Sequence, residues 1–153
     1  MYTTLFLESV QPDLARVKFL ELLDLYKVPK DKCVIIGSAV MALYGLRENV
    51  DLDVNVLPSV FEIIRRDRRF TKKYSAMSKQ YYYESKDGHI AIHGKNWPFK
   101  EKIRDEIENA LDVKGYKFYT LQRVLEWKKI VNRPKDQLDI AVIEKFMHNN
   151  PPA

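Results

Sequence analysis

A strand–turn–helix–strand unit early in the chain constrains the fold more than any other stretch of the sequence. Residues 33–36 form a short apolar run rich in β-branched side chains, which is typical of a buried strand. The pair Gly37-Ser38 follows, and residues 39–43 are good helix formers. Residues 51–56 alternate between polar and apolar side chains and predict a second strand. This unit predicts an α/β fold class.

The second predicted strand carries two carboxylates on one face. Because side chains alternate along a strand, Asp51, Asp53 and Asn55 share a face. The apolar residues of the other face should point into the core: Leu52, Val54 and Val56. Neighbouring carboxylates repel each other, and each loses hydration when it is partly buried. A hard divalent cation such as Mg²⁺ is the usual compensation. The alternative is a solvent-facing edge strand that carries Asp-x-Asp by coincidence.

The Gly37-Ser38 turn supplies the complementary half of such a site. Glycine lets the backbone approach a phosphate closely, and free amides at the start of a helix attract anions. Arg47, in the connection to the second strand, has three interpretations. It contacts a substrate phosphate, braces Asp51, or is a solvated loop side chain. The unit as a whole predicts a site for a cation and a phosphate.

The same residues resemble a known signature. A Gly-Ser pair at 37–38, a spacer of twelve residues and Asp-Leu-Asp-Val at 51–54 resemble the motif of the nucleotidyltransferase superfamily. The resemblance implies a small mixed sheet of the nucleotidyltransferase fold, flanked by helices. It also implies that Asp51 and Asp53 hold Mg²⁺ or Mn²⁺, and that Gly37 and Ser38 hold the triphosphate of an NTP.

A second resemblance lies near the C-terminus. Residues 120–128 (Thr-Leu-Gln-Arg-Val-Leu-Glu-Trp-Lys) and 133–139 (Arg-Pro-Lys-Asp-Gln-Leu-Asp) are similar to motifs of the AbiEii-type nucleotidyltransferases. Those proteins are a toxin-like branch, often paired with an antitoxin. The resemblance implies that Lys128 contacts a nucleotide phosphate and that Asp136 or Asp139 helps to complete the active site. Acids in a first helical turn are also ordinary partners of the helix dipole. The same motif contains Arg133 and Lys135.

The number of metal ligands stays open at this stage. Many nucleotidyltransferases place a third carboxylate on a strand in about the region of residues 89–93. This chain offers His89 and His93 there, and Glu84 on the neighbouring strand is the nearest acid. The two histidines, four residues apart, would share one face of a strand. We favour exposed or phosphate-facing histidines over a metal-binding pair.

A basic segment follows the second strand. Six cations lie within nine residues: Arg65, Arg66, Arg68, Arg69, Lys72 and Lys73. Tyr74 and the run at 81–83 follow, and aromatic side chains can stack on unpaired bases. The segment is therefore a hypothetical RNA contact, with a solvated charged surface as the alternative.

Periodicity and turn residues predict the remaining elements. They are a helix over 12–27, a helix over 58–67 with Val60, Ile63 and Ile64 inward, a hairpin of strands 80–85 and 89–93, a turn at 96–98, a helix over 99–111, a strand over 113–119, and two helices after the N-cap Thr120 that meet at Pro134.

Length and composition indicate one globular domain over 1–153. Within it, 33–56 is the predicted core unit and 120–148 the C-terminal helical part. Apolar residues make up 46% and charged residues 31% of the chain. No apolar run approaches eighteen residues, so no membrane span is expected. Residues 1–9 lack the features of a signal peptide, and the single cysteine, Cys33, is expected to be buried. Both features fit a cytoplasmic location.

The predicted function is metal-dependent transfer of a nucleoside monophosphate from an NTP to an acceptor. The net charge of +5 suits an anionic substrate. RNA, such as the end of a tRNA, is the first acceptor considered, and a protein or small-molecule hydroxyl is the second. A catalytically inactive nucleotide- or nucleic-acid-binding module on the same fold is the alternative.

Overall fold

The computed structural model of the protein describes residues 10–151 and contains one mixed sheet with six α-helices. The strands are β1 Cys33–Ile36, β2 Leu52–Val56, β3 Phe70–Ser75, β4 Gln80–Ser85, β5 Ile90–His93, β6 Leu111–Val113 and β7 Tyr116–Phe118. The helices are α1 Glu21–Leu25, α2 Ser38–Leu43, α3 Pro58–Arg65, α4 Ile103–Glu108, α5 Leu121–Val131 and α6 Asp136–Asn149. Two 3₁₀ turns, Leu14–Arg16 and Lys30–Lys32, precede β1. The α/β fold class is confirmed, with helices and a seven-stranded sheet in one α+β arrangement.

The sheet has the order β3-β4-β5-β2-β1-β7-β6. β1 and β2 are antiparallel, whereas β2 pairs with β5 and β1 with β7 in parallel. The other neighbours are antiparallel hairpins. The central strands therefore belong to the unit that the sequence singled out.

The core lies under the central strands, as their alternation predicts. Leu52, Val54 and Val56 have no solvent exposure, and Cys33 is buried in β1. Burial, with a smaller effect from Asp31, raises the pKa of the Cys33 thiol to about 12, so the side chain behaves as a small hydrophobe. The whole of α2 is buried apart from its first residue, and it packs against β1 and β2.

The predicted hairpin is present, and the strand before it was missed. β4 and β5 pair in antiparallel fashion around Asp87 and Gly88. β3 pairs with β4 along its full length, although its sequence resembles a solvated charge run. β3 lies at the edge of the sheet, and its residues 71–74 are exposed on both faces, so no apolar alternation marks it.

Several predicted boundaries are wrong. The single helix over 12–27 is instead a 3₁₀ turn and the short α1, because Phe19 has a φ of +74° and stacks on His89. The helix predicted over 99–111 covers only α4. The strand over 113–119 is the β6–β7 hairpin, which turns through positive φ at Lys114 and Gly115.

Other local predictions have mixed outcomes. The helix over 58–67 is α3, but Ile63 is 66% exposed rather than inward. The Thr120 hydroxyl caps α5 as predicted, accepting from the Arg123 N–H at 3.1 Å. The prediction about a signal peptide concerns residues 1–9, which lie outside the described range. Of the helices between residues 10 and 151, none combines the length and apolarity that a bilayer crossing requires.

The burial of β2 generates a stability prediction. Leu52→Ala should lower the free energy of unfolding by about 3 kcal/mol, because it leaves a cavity in a close-packed core. Chemical denaturation followed by circular dichroism measures the change. The matched control is Leu138→Ala, since Leu138 is 72% exposed on α6 and its truncation should change the value by less than about 0.5 kcal/mol. Equal effects of the two substitutions would contradict the assigned core.

Candidate functional site

A cleft of about 500 Å³ gathers most of the predicted site residues. One wall comes from the β1–α2 turn, β2, β4 and β5, and the other from α5, α6 and their connection. The predicted residues that line it are Gly37, Ser38, Arg47, Asp51, Asp53, Glu84, His93, Lys128, Arg133, Lys135, Asp136 and Asp139. His89 and the basic segment over 65–73 are not among the lining residues.

The pairing of β1 with β2 brings the Gly-Ser turn against the carboxylates. Ile36, the last residue of β1, lies opposite Asp53, so Gly37 begins the turn beside it. Gly37 has φ +70° and ψ −144°, a conformation that glycine adopts readily and other residues do not. A Cβ at Gly37 would lie 3.6 Å from Asp53 Oδ2. The backbone therefore passes the carboxylate at close range, as expected for a turn that faces a ligand.

The two carboxylates are held in an electrostatically unfavourable arrangement. Burial raises the pKa of Asp51 to about 6, and the negative charge of Asp53, a hydrogen bond with it, and the charge of Glu84 add to the effect. His93 acts in the opposite direction. Because like charges in a half-buried site resist joint ionisation, this pair favours an added positive charge.

His93 contacts this carboxylate pair. Its Nε2 lies 3.0 Å from Asp53 Oδ1, and its ring stacks on Tyr82 with centroids 5.1 Å apart. Strand register explains both contacts. His93 lies opposite Tyr82 on β4 and opposite Asn55 on β2, and Asp53 is the next residue on the same face of β2. The same register puts Glu84, Ala91 and Asp53 in one row across the sheet. Glu84 therefore faces the carboxylates across the small side chain of Ala91.

The two histidines do not form a pair. His89 precedes β5, its Nδ1 lies 3.3 Å from Asp87 Oδ2, and its ring stacks on Phe19 at 4.4 Å. The hypothesis of a His89–His93 metal pair is therefore wrong, because a loop and not a strand carries His89.

The donor atoms around Asp51 suit a hard cation. Carboxylate oxygens are the ligands that Mg²⁺ and Mn²⁺ prefer, and the cleft leaves space beside them for water and phosphate oxygens. Within residues 10–151, no group of three or more His, Cys, Asp or Glu side chains is arranged to hold a metal ion. The carboxylates of Asp51 and Asp53 are a donor set that would suit a cation shared with a substrate.

The opposite wall is a buried ion network centred on Lys128. Its Nζ lies 3.3 Å from Asp136 Oδ1 and 3.1 Å from Asp139 Oδ2, and all three side chains are buried. Arg47 Nη1 contacts Asp139 Oδ2 at 2.8 Å. Arg133 holds Asp136 through Nε and Nη2, both at 2.9 Å. Three cations around two carboxylates leave this wall with net positive charge.

Asp136 is ionised within this network. Burial acts to raise its pKa, but hydrogen bonds from the Arg133 side chain and backbone, together with the charge of Lys128, outweigh it and lower the pKa to about 2. The helix dipole alone does not account for this residue, because it pairs with Arg133, three residues earlier, and with Lys128 on α5. The network ties α5 to α6 at the edge of the cleft.

The structure revises two predicted roles. Arg47 braces Asp139 rather than Asp51. The contacts of Asp139 are the cations Arg47 and Lys128, so the structure places it in the cationic wall. Its predicted part in completing the active site would therefore be to orient those two cations.

Sequence reasoning missed the aromatic part of the cleft. Trp97 and Trp127 meet edge to face at 6.2 Å, and the Trp127 indole N–H donates to the Trp97 carbonyl at 3.1 Å. The Arg133 guanidinium lies 5.0 Å from the Trp127 ring centroid. These tryptophans are far apart in the chain, so no local spacing joins them. Trp127 is partly buried, and its ring lines the cleft.

The basic segment divides into paired and unpaired cations. Arg65 and Arg66 contact Glu62, and Arg69 contacts Asp67 at 2.8 Å. The other three cations of the segment form no ion pair with a described residue: Arg68, and Lys72 and Lys73 on β3. The predicted RNA contact therefore rests on fewer available charges than the sequence suggests.

Comparisons of the chain with protein-family models, with curated proteins and with solved structures give no match.

The carboxylate pair generates a pH-dependent stability prediction. The pKa of Asp51 is raised from 3.8 to about 6 on folding, so the ionised group destabilises the fold, and this cost develops as the pH rises through that window. Asp51→Asn should therefore raise the thermal midpoint of the metal-free protein at pH 8, and much less at pH 4.5. Differential scanning fluorimetry with EDTA measures both midpoints.

The matched control for that experiment is Asp24→Asn, which removes an exposed carboxylate from α1. Its effect should be small at both pH values. A lower midpoint for Asp51→Asn at pH 8 would contradict the proposed repulsion.

The ion network generates a second stability prediction. Lys128→Met should lower the free energy of unfolding by about 3 kcal/mol, because it removes the cation shared by two buried carboxylates. Lys129→Met is the control, since the adjacent Lys129 is half exposed and pairs with the exposed Glu144. Its cost should be no more than about 0.5 kcal/mol. Chemical denaturation measures the free energy of unfolding of both variants. Equal losses would show that the buried contacts of Lys128 do not stabilise this wall.

Proposed function

We propose that this protein is a metal-dependent nucleotidyltransferase that moves a nucleoside monophosphate from an NTP to an acceptor hydroxyl. The observation that carries the proposal is the close approach of the Gly37 backbone to Asp53, with the mutually repelling carboxylates of Asp51 and Asp53 in the same cleft. A phosphate-facing turn beside two carboxylates is the arrangement that a metal-bound triphosphate requires.

Asp51 and Asp53 would hold the cation, Mg²⁺ or Mn²⁺. The bound metal would neutralise phosphate charge and help to orient the triphosphate for in-line attack. His93 would give up its contact with Asp53 Oδ1, or keep it and orient that carboxylate. Glu84, across Ala91, adds negative charge that strengthens the attraction for a cation.

The opposite wall would hold the triphosphate. The Gly37 backbone and the Ser38 hydroxyl approach it from the carboxylate side, and the cations approach it from the other side. Lys128 and Arg133 are fixed by Asp136 and Asp139, so their donors are oriented before substrate binds. Arg47 and Lys135 extend this cationic surface.

The reaction is displacement at the α-phosphorus. The acceptor oxygen forms a bond to that phosphorus, the bond to the leaving pyrophosphate breaks, and the acceptor proton is released to water. Positioning and charge stabilisation supply most of the catalysis in such transfers. The cationic wall faces the charge that develops on pyrophosphate.

The acceptor proposed first is RNA, with the end of a tRNA as the model, and the second is a protein or small-molecule hydroxyl. A toxin-like role in the cytoplasm, with a cognate antitoxin as partner, is part of the same proposal. It rests on the resemblance of residues 120–139 to AbiEii-type motifs.

A second candidate is an inactive nucleotide- or nucleic-acid-binding module. It is favoured by the positions on β5 that face the carboxylates, which carry Ala91 and His93 and no acid. The transfer assay below separates the two candidates.

The activity prediction uses NTPs labelled at the α-phosphate. With Mg²⁺, one of the four NTPs should label bulk tRNA, the protein itself or an aminoglycoside, and Asp53→Asn should reduce the rate at least about a hundredfold. The loss follows from removal of a metal-binding oxygen and not from unfolding, so the thermal midpoint should not fall. The label is counted after electrophoretic separation, and a γ-labelled NTP should transfer nothing.

Asp24→Asn again serves as the control and should keep full activity. Mg²⁺ should also raise the thermal midpoint of the wild type and leave that of Asp51→Asn unchanged. Full transfer by Asp53→Asn would refute the catalytic assignment. NTP binding without transfer to any acceptor would favour the inactive module.

A further inference from the structure

The β3–β4 hairpin displays two exposed tyrosines side by side. Tyr74 and Tyr81 are cross-strand partners, they are 54% and 55% exposed, and their rings meet edge to face at 5.0 Å. Burying a large aromatic side chain is favourable, and these two rings leave much of that free energy unused. A pair of them on one face forms an apolar platform that a planar partner would cover.

The platform is surrounded by positive charge. The Lys72 ammonium lies 4.3 Å from the Tyr81 ring centroid, and Lys72 shares its face of the hairpin with both tyrosines. From residue 68 to residue 83 the chain contains five Lys and Arg and no Asp or Glu. Neither Lys72 nor Lys73 forms an ion pair with a described residue. The surface therefore suits a partner that is both planar and anionic.

The hairpin connects this platform to the cleft. Strand alternation places Lys72, Tyr74 and Tyr81 on one face, and Lys73 and Tyr82 on the face that carries Glu84. The tip between the strands, which includes Ser75, Met77, Ser78 and Gln80, lines the cleft itself. A flexible chain bound on the platform reaches the carboxylates by crossing the tip.

We propose that Lys72, Tyr74 and Tyr81, called here the tyrosine platform, bind single-stranded nucleic acid. Unpaired bases stack on the two rings, and Lys72 contacts the phosphate backbone. Where the proposed function holds, the platform positions the acceptor strand so that its end enters the cleft over the hairpin tip. This assignment moves the contact from the arginines over residues 65–69, three of which are paired with acids, to the hairpin.

A protein partner fits this surface less well. β3 is an edge strand, but the cations Lys72 and Lys73 lie on its two faces, and charged lysines on an edge oppose pairing with another strand. Stacking on exposed rings beside cations is the ordinary means of holding unpaired bases, and it requires no particular sequence.

Binding of a fluorescein-labelled twelve-nucleotide single strand, followed by anisotropy, tests the platform. Tyr81→Ala should weaken binding about tenfold, because one stacked base loses its support, and Tyr81→Phe should bind like the wild type. Both substitutions are at an exposed position and should leave the thermal midpoint unchanged. Equal affinity of Tyr81→Ala and the wild type would overturn the proposal.

The salt dependence tests the charge. Lys72→Gln should reduce the slope of log affinity against log salt by about 0.7, the value for one phosphate contact on a single strand. Lys30→Gln is the matched control, since Lys30 lies 4.2 Å from the Tyr116 ring on the opposite side of the sheet, and it should leave the slope unchanged. Equal slopes for Lys72→Gln and the wild type would count against the platform.

Two further arms keep this test distinct from the transfer assay. Asp53→Asn should bind the strand as tightly as the wild type, so loss of transfer in that variant leaves the binding result intact. RNA and DNA strands of the same sequence are compared, and binding of either one supports the platform. A duplex that binds more tightly than both single strands would contradict base stacking.

Discussion

The antiparallel register of β1 and β2 is the constraint on which the site depends. It sets Ile36 opposite Asp53, so the turn that follows β1 emerges beside the carboxylates. Buried apolar residues hold this register, because a shift of one residue would turn Leu52, Val54 and Val56 out of the core and Asp53 into it. The packing of the sheet centre and the geometry of the site are therefore set by the same pairing.

The cleft is built from two walls with opposite electrostatic character. The sheet wall holds Asp51, Asp53 and Glu84, whose mutual repulsion appears in the raised pKa of Asp51. The helical wall holds Lys128 between Asp136 and Asp139, in contacts that offset part of the cost of burying these charges. One wall favours a cation and the other an anion. A metal-bound triphosphate carries both, which is why the proposed function accounts for the cleft as a whole.

Outside the cleft, some cations are paired with acids and others are not. Of the four arginines over residues 65–69, three are paired with Glu62 and Asp67, which offsets part of the positive charge of that segment. The lysines of β3 are left for a partner, together with two tyrosines that the fold does not bury. Binding of an acceptor is therefore expected on the hairpin, next to the cleft, and not along the whole basic segment.

The sequence alone determined the central unit and the identity of most charged residues in the cleft. Alternation marked the buried face of β2, Asp-Gly marked the β4–β5 hairpin, and Thr120 marked the start of α5, because each signal arises from local geometry. Contacts between distant segments decided the rest. His93 reaches Asp53, Trp97 meets Trp127, and Arg47 turns to Asp139 only when the strands and helices are assembled. Local periodicity also failed at two places. The helix breaks at Phe19, which packs on a distant residue, and β3 lacks alternation because it lies at the sheet edge.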